Sequence, residues 1–113
     1  MSTINYQDFE KIDMRVGCIT AVEEFPEAKK PAYKLTINFG LEIGQKKSSA
    51  QITDLYSKDQ LLGRFVVCVT NFPPKQIGPF VSECLTCGVA DPQGRVALLG
   101  FNEKNIPLGS KIF

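Results

Sequence analysis

Apolar and polar side chains alternate with a period of two over Tyr33-Lys-Leu-Thr-Ile-Asn-Phe39. Leu35, Ile37 and Phe39 fall on one face and Lys34, Thr36 and Asn38 on the other, which predicts a half-buried strand. Met14 to Phe25 reads as a longer strand, with Gly17 as a candidate bulge or tight bend inside it. Gly40 and Gly44 flank the turn into a more polar strand, Gln45 to Ile52. Phe65 to Thr70 is a continuous apolar run bounded by Gly63 and by Asn71-Phe-Pro-Pro74, so it predicts a strand buried on both faces. Val81 to Ala90 and Arg95 to Phe101 read as two more strands. They are joined by Asp91-Pro-Gln-Gly94, with proline second and glycine fourth as in a type I turn. Ile77-Gly-Pro-Phe80 reads as a loop, and Ile106 to Phe113 as a short, turn-rich, partly apolar tail.

Helical signals are brief. Tyr6 to Ile12 predicts one short helical turn with Asn5 as its N-cap. Ser57-Lys-Asp-Gln60 has capping-box spacing and is followed by Leu61-Leu62 and a stopping Gly63. The inventory predicts an all-β chain: a five-stranded OB-fold barrel with a short helix between strands 3 and 4 and short N- and C-terminal extensions. A length of 113 residues predicts one domain over residues 1–113, with its core at about 9–113.

Charge and composition narrow the function. Thirteen basic and twelve acidic side chains nearly cancel, so attraction to nucleic acid has to come from a local patch. Lys29, Lys30, Lys34, Lys46 and Lys47 supply one in outline, with Glu23, Glu24 and Glu27 just upstream. The chain has no histidine, which removes the commonest general base and the commonest metal ligand together. The N-terminus lacks the basic and apolar regions of a secretory signal, and no apolar run reaches bilayer length. The expectation is a cytoplasmic protein with no membrane insertion.

Four cysteines, two of them in Ser82-Glu-Cys-Leu-Thr-Cys87, raise the question of redox or metal chemistry. Cys87 leads into a turn rather than a helix, so no helix dipole activates the pair. Residues three apart on a strand also point to opposite faces. Cys18 and Cys68 form no second paired knuckle, so no zinc site is expected and the thiols read as small core fillers. Ser48, Ser49 and Ser82 have no imidazole to activate them, and no phosphate-cradling glycine motif is present. Neither a catalytic residue nor a cofactor is expected.

Binding is what remains. Lys29, Lys30, Lys34, Lys46, Lys47 and Lys75, with Ser49 and Ser82, are the candidate RNA contacts: lysines for phosphates, serines for sugar and base. The competing reading is a solvated surface for the lysines and local backbone hydrogen bonds for the two serines. Phe72, Ile77 and Phe80, on proline-stiffened segments, are candidate peptide contacts, and equally candidates for capping the barrel.

Four segments carry a resemblance: "DMRVGCITAVEEFPEAKKPAYKL" (13–35), "IGQKKSSAQIT" (43–53), "VTNFPPKQIGPFVSE" (69–83) and "IPLGSKI" (106–112). Together they resemble the tRNA-binding domain found at the C-terminus of methionyl-tRNA synthetases and in free-standing tRNA-binding proteins. The CsaA protein-secretion chaperone branch is the nearest in pattern. The resemblance implies an OB barrel, a homodimer, and binding of unfolded or precursor polypeptides during export, with contact to export machinery. It also implies affinity for tRNA or structured RNA, carried here by the Lys29–Lys34 loop, Ser49 and Ser82-Glu83. The implied dimer surface comprises Tyr6, Phe9, Ile12, Ile106, Leu108 and Ile112. RNA-binding members typically continue Ser-Glu with Gly-Met, whereas this chain has Cys84-Leu85, and its Lys75–Pro79 loop is less basic. Both departures tilt the resemblance toward the chaperone, with a primarily tRNA-binding protein as the alternative.

Overall fold

The computed structural model describes all 113 residues. Asn5 caps α1 (Tyr6–Glu10) through a reciprocal capping box with Asp8. Three long strands follow: β1 (Met14–Glu24), β2 (Tyr33–Asn38) and β3 (Gln45–Ala50). Then come α2 (Lys58–Leu61), boxed by Ser57 and Gln60, and β4 (Phe65–Val69). The rest of the chain uses strands of two or three residues: β5 (Lys75–Ile77), β6 (Phe80–Ser82), β7 (Leu85–Thr86), β8 (Gly88–Ala90) and β9 (Val96–Leu98).

The main sheet is antiparallel, in the order β3-β2-β1-β4-β7. β1 is long enough to serve two neighbours. Met14 to Cys18 pairs with β4, and Cys18 to Glu24 pairs with β2. The sheet curls until its outer strands meet, where the Glu83 N–H donates to the Lys47 carbonyl at 2.7 Å. This is the expected five-stranded OB-fold barrel, with its short helix between β3 and β4.

The alternation over residues 33–39 has the predicted consequence: Tyr33, Leu35, Ile37 and Phe39 are buried, while Lys34, Thr36 and Asn38 are half-exposed. With Ile19, Ile52, Leu61 and Val66 they form the core. Burying a side chain such as Phe39 stabilises the fold by about 2–3 kcal/mol.

Gly17 is neither a bulge nor a bend. It sits in regular register opposite Val66, and the register shift falls between Ile19 and Ala21. Its missing Cβ is what matters, because one placed there would stand 2.5 Å from Ile37 Cγ2 and 2.8 Å from the Phe39 ring. A large core ring thus packs directly on the β1 backbone.

Other expectations are revised too. Residues 77–80 are not a loop, since β5 and β6 form a tight hairpin about Gly78-Pro79. Val81 to Ala90 is not one strand but three fragments, bent where the chain leaves one sheet for the next. The strand expected over 95–101 is confined to Val96–Leu98. The tail is more ordered than its composition implied. Hydrogen bonds from Val16 N–H to Ser110 O, Gly109 N–H to Val16 O and Ile112 N–H to Met14 O seal the edge of β1 that β2 does not reach.

Candidate functional site

The barrel closes at a seam between β3 and the chain from Ser82 to Thr86, and the seam is held mainly by side chains. Buried Ser48 donates from Oγ to the Cys84 carbonyl at 3.1 Å and lies 2.9 Å from Thr86 Oγ1. The Lys47 N–H donates to Glu83 Oε1 at 2.9 Å, and the Ser49 N–H donates to Ser82 Oγ at 3.0 Å. Strand alternation puts Lys47, Ser49 and then Gln51 on the outer face, beside Thr36 and Lys34 of β2.

Two clefts meet at this seam. One, of about 330 Å³, is lined by Ser49, Gln51, Phe72, Pro73, Lys75, Ile77, Ser82, Cys84 and Leu85. The other, of about 650 Å³, adds Glu27, Lys29, Lys30 and Gln76 and shares Ser49, Gln51, Lys75 and Ile77 with the first. A mostly apolar end with Phe72, Pro73 and Leu85 therefore runs into an end carrying three ammonium groups and one carboxylate.

The fold sorts the candidate residues. It gathers Lys29, Lys30, Lys75, Ser49, Ser82, Phe72 and Ile77 along one groove. Lys34 lies between Ser49 and Glu23 on neighbouring strands, its ammonium 5.6 Å from the centroid of the Phe25 ring. Lys46 and Lys47 are adjacent in sequence and so point to opposite faces of β3, with Lys46 opposite Ile37. Ser82 lines the groove, yet its hydroxyl is engaged by the Ser49 N–H and so serves the seam as well. Phe80 turns away and packs edge-on against Phe25, centroids 5.4 Å apart, while Phe72 remains 54% exposed.

Gln51, Pro73, Gln76 and Leu85 were missed as groove residues. The signal for Gln51 and Leu85 was present in the alternation: each stands between two inward-facing neighbours.

The thiols are placed for packing. Cys68 and Cys84 are buried, whereas Cys18 and Cys87 are half-buried. The hydrogen bond with Cys84, and then burial, push the Cys68 thiol up; burial alone raises Cys18 and dominates at Cys87. At neutral pH these three stay protonated and are poor nucleophiles.

The residues considered for self-association lie at the two chain ends. Tyr6 and Phe9 lie with ring centroids 6.2 Å apart on α1, Tyr6 and Ile12 being exposed. The Leu108 carbonyl rests close to Gly40, and Ile112 is hydrogen-bonded to Met14. Ile106 borders a cleft with Phe65 and Phe101. No helix is long and apolar enough to cross a membrane.

Residues 14–111 match the family model described as "Putative tRNA binding domain". The CsaA chaperone protein of Picrophilus torridus is 51% identical, with a TM-score of 0.90, over 98% of this chain and 100% of that one. Chaperone CsaA of Bacillus anthracis is 46% identical, with a TM-score of 0.91, over 99% and 100%. A methionine–tRNA ligase of Nanoarchaeum equitans is 38% identical over 109 residues, which is 96% of this chain but 13% of the ligase. The similarity to that enzyme is thus confined to a small part of it. The chain belongs to the tRNA-binding domain family and, within it, to the CsaA type.

Proposed function

We propose that this protein is a dimeric, export-related chaperone that holds extended segments of unfolded or precursor polypeptides in the seam groove, and that the basic end of the same groove binds tRNA or structured RNA. On this reading it works by binding and performs no catalysis. The observation that carries it is the continuity of the two clefts through Ser49, Gln51, Lys75 and Ile77, which joins apolar Phe72 and Leu85 to Lys29 and Lys30. Apolar side chains on a rigid, half-open surface take up hydrophobic client residues, and lysines at the rim favour acidic flanks. The likeness to two CsaA chaperones along their full length supports the polypeptide reading. Phe72, Ile77 and Leu85 contact the client; Tyr6, Phe9, Ile12, Ile106, Leu108 and Ile112 form the dimer surface.

The test is suppression of aggregation of a chemically unfolded precursor. Phe72→Ser sits on an exposed ring, so it leaves the fold intact and removes most of the protection. Unchanged protection in the folded variant overturns the assignment of the groove. Phe80→Ser serves as the contrast, because its ring faces Phe25 and its loss acts on stability first.

The alternative, primary recognition of tRNA, draws on the family match and on the cluster of Lys29, Lys30 and Lys75. It predicts RNA affinity that falls steeply with salt. Alanine at all three lysines lowers the log–log slope by about 2–3. A slope unmoved by the triple variant places RNA elsewhere, on the Lys34 and Lys47 face.

A further inference from the structure

We infer that the client is held through its backbone, as an added β-strand on the open edge of β3 at Ser49 to Gln51. The inference rests on the polypeptide-binding reading above and names how that groove grips its ligand.

β3 has two edges with different fates. Ser48 and Ala50 face β2, opposite Leu35 and Tyr33. Lys47 and Ser49 direct their backbone the other way, because the Lys47 N–H and C=O are both taken by Glu83 and the Ser49 N–H by Ser82 Oγ. Beyond that point the seam opens. The N–H and C=O of Gln51 make no hydrogen bond within the chain, and the Ser49 carbonyl lies on the same edge. No backbone bond crosses from the opposite wall to Gln51; there the Cys87 N–H is spent on Val67 and the Cys87 carbonyl on Leu99. β8 turns instead to its own partner, β9.

The gap this leaves is a third cleft, of about 420 Å³, which shares Ser49, Gln51 and Leu85 with the first and continues past Ile52, Gly88 and Val96. An unpaired strand edge is a template for another strand. A peptide laid there satisfies the Gln51 groups and alternates its side chains between the two sides of the cleft, which is strand addition. Leu85, 51% exposed, stands where the two clefts join, with Phe72 further along. The lysines at 29, 30 and 75, against the single carboxylate of Glu27, select acidic residues at that end of the peptide. The preferred ligand is therefore an extended segment with apolar residues at alternate positions, followed by acidic ones. RNA has no backbone amide to pair with this edge.

The experiment uses the full chain and a short blocked peptide alternating leucine and threonine and ending in aspartates. Amide hydrogen exchange is followed by NMR. Saturating peptide slows exchange of the Gln51 amide by about tenfold or more, as expected for a newly made strand hydrogen bond. N-methylation of the peptide at alternate residues weakens binding by about fivefold or more in one register and little in the other. Gln51→Pro, checked for folding by its melting curve, removes the donor and repeats the loss. If the peptide binds but Gln51 exchange is unchanged and methylation acts equally in both registers, the strand-addition mode is wrong while the groove reading stands. If no such peptide binds, both fall. Protection of Gln51 by an RNA hairpin instead, or by rising protein concentration without peptide, gives the edge to RNA or to a second copy and overturns the inference.

Discussion

The two sides of the barrel are built on different principles. On one side, β1, β2 and β4 are joined by backbone ladders interrupted only by the register shift between Ile19 and Ala21, and their inward faces carry Ile19, Leu35, Ile37 and Val66 with no more than 1% exposure. On the other, β3 meets Ser82–Thr86 largely through hydroxyls and a carboxylate, and the strands facing β3 are two or three residues long. Backbone ladders use up the groups that make them, so the first side is finished and inert. A seam closed by side chains leaves backbone groups spare and bends the chain enough to open clefts. On the proposed reading, stability and binding fall to different walls of one small barrel.

Breaking each wall tests that division. The largest effect belongs to Phe39→Ala, which removes a buried ring lying against Gly17 and costs about 3–5 kcal/mol. The urea midpoint reports it, and a loss below 1 kcal/mol would mean the ladder side is not where the stability lies. Ser48→Ala at the seam comes next, costing about 1–2 kcal/mol by removing one hydrogen bond to the Cys84 carbonyl and one with the Thr86 hydroxyl. It also weakens client binding more than its stability loss explains, because it loosens the groove floor; peptide titration of the folded variant measures this.

The smallest effect lies where the tail joins β1. Asp13 accepts from Arg15 Nε at 2.8 Å and from Thr70 Oγ1 at 2.7 Å. Burial pulls its pKa upward, but these hydrogen bonds and the guanidinium charge outweigh it and hold the carboxyl below its usual range. A carboxyl lowered by folding stabilises the protein above its unfolded pKa of about 3.9 and stops doing so as pH falls through the lower, folded value. Asp13→Asn is therefore less stable than the parent by about 1 kcal/mol or less at neutral pH. The gap closes as pH falls from about 4 through that lower, folded value. Urea midpoints across that range check the sign; a gap that widens in acid refutes it.

Local patterns carried much of this fold. The alternation over 33–39, the two capping boxes and the Asp91–Gly94 turn, closed by a Gly94 N–H to Asp91 O bond of 2.9 Å, are short-range features that their own residues dictate. The long uniform run drawn over 81–90 failed because its breaks are imposed by where β4 and β9 pull the chain. Gly17 looked like a bend because no window around it contains Phe39, the ring it makes room for.

The same division runs through the groove. Phe72 and Phe80 are equivalent in sequence, each an aromatic beside proline in a loop-like stretch. One is exposed in a cleft and the other is taken by Phe25, a partner 55 residues away that no local pattern names. By itself the chain determined its longer strands, its helix caps, its membership of the tRNA-binding domain family and the side chains available for contact, since these depend on neighbours within a turn or a strand. Which of those side chains share a surface, and which backbone edge stays open, was decided by closure of the barrel. That closure joins Lys47 to Glu83 across 36 residues, and its geometry exists only once the sheet has curled.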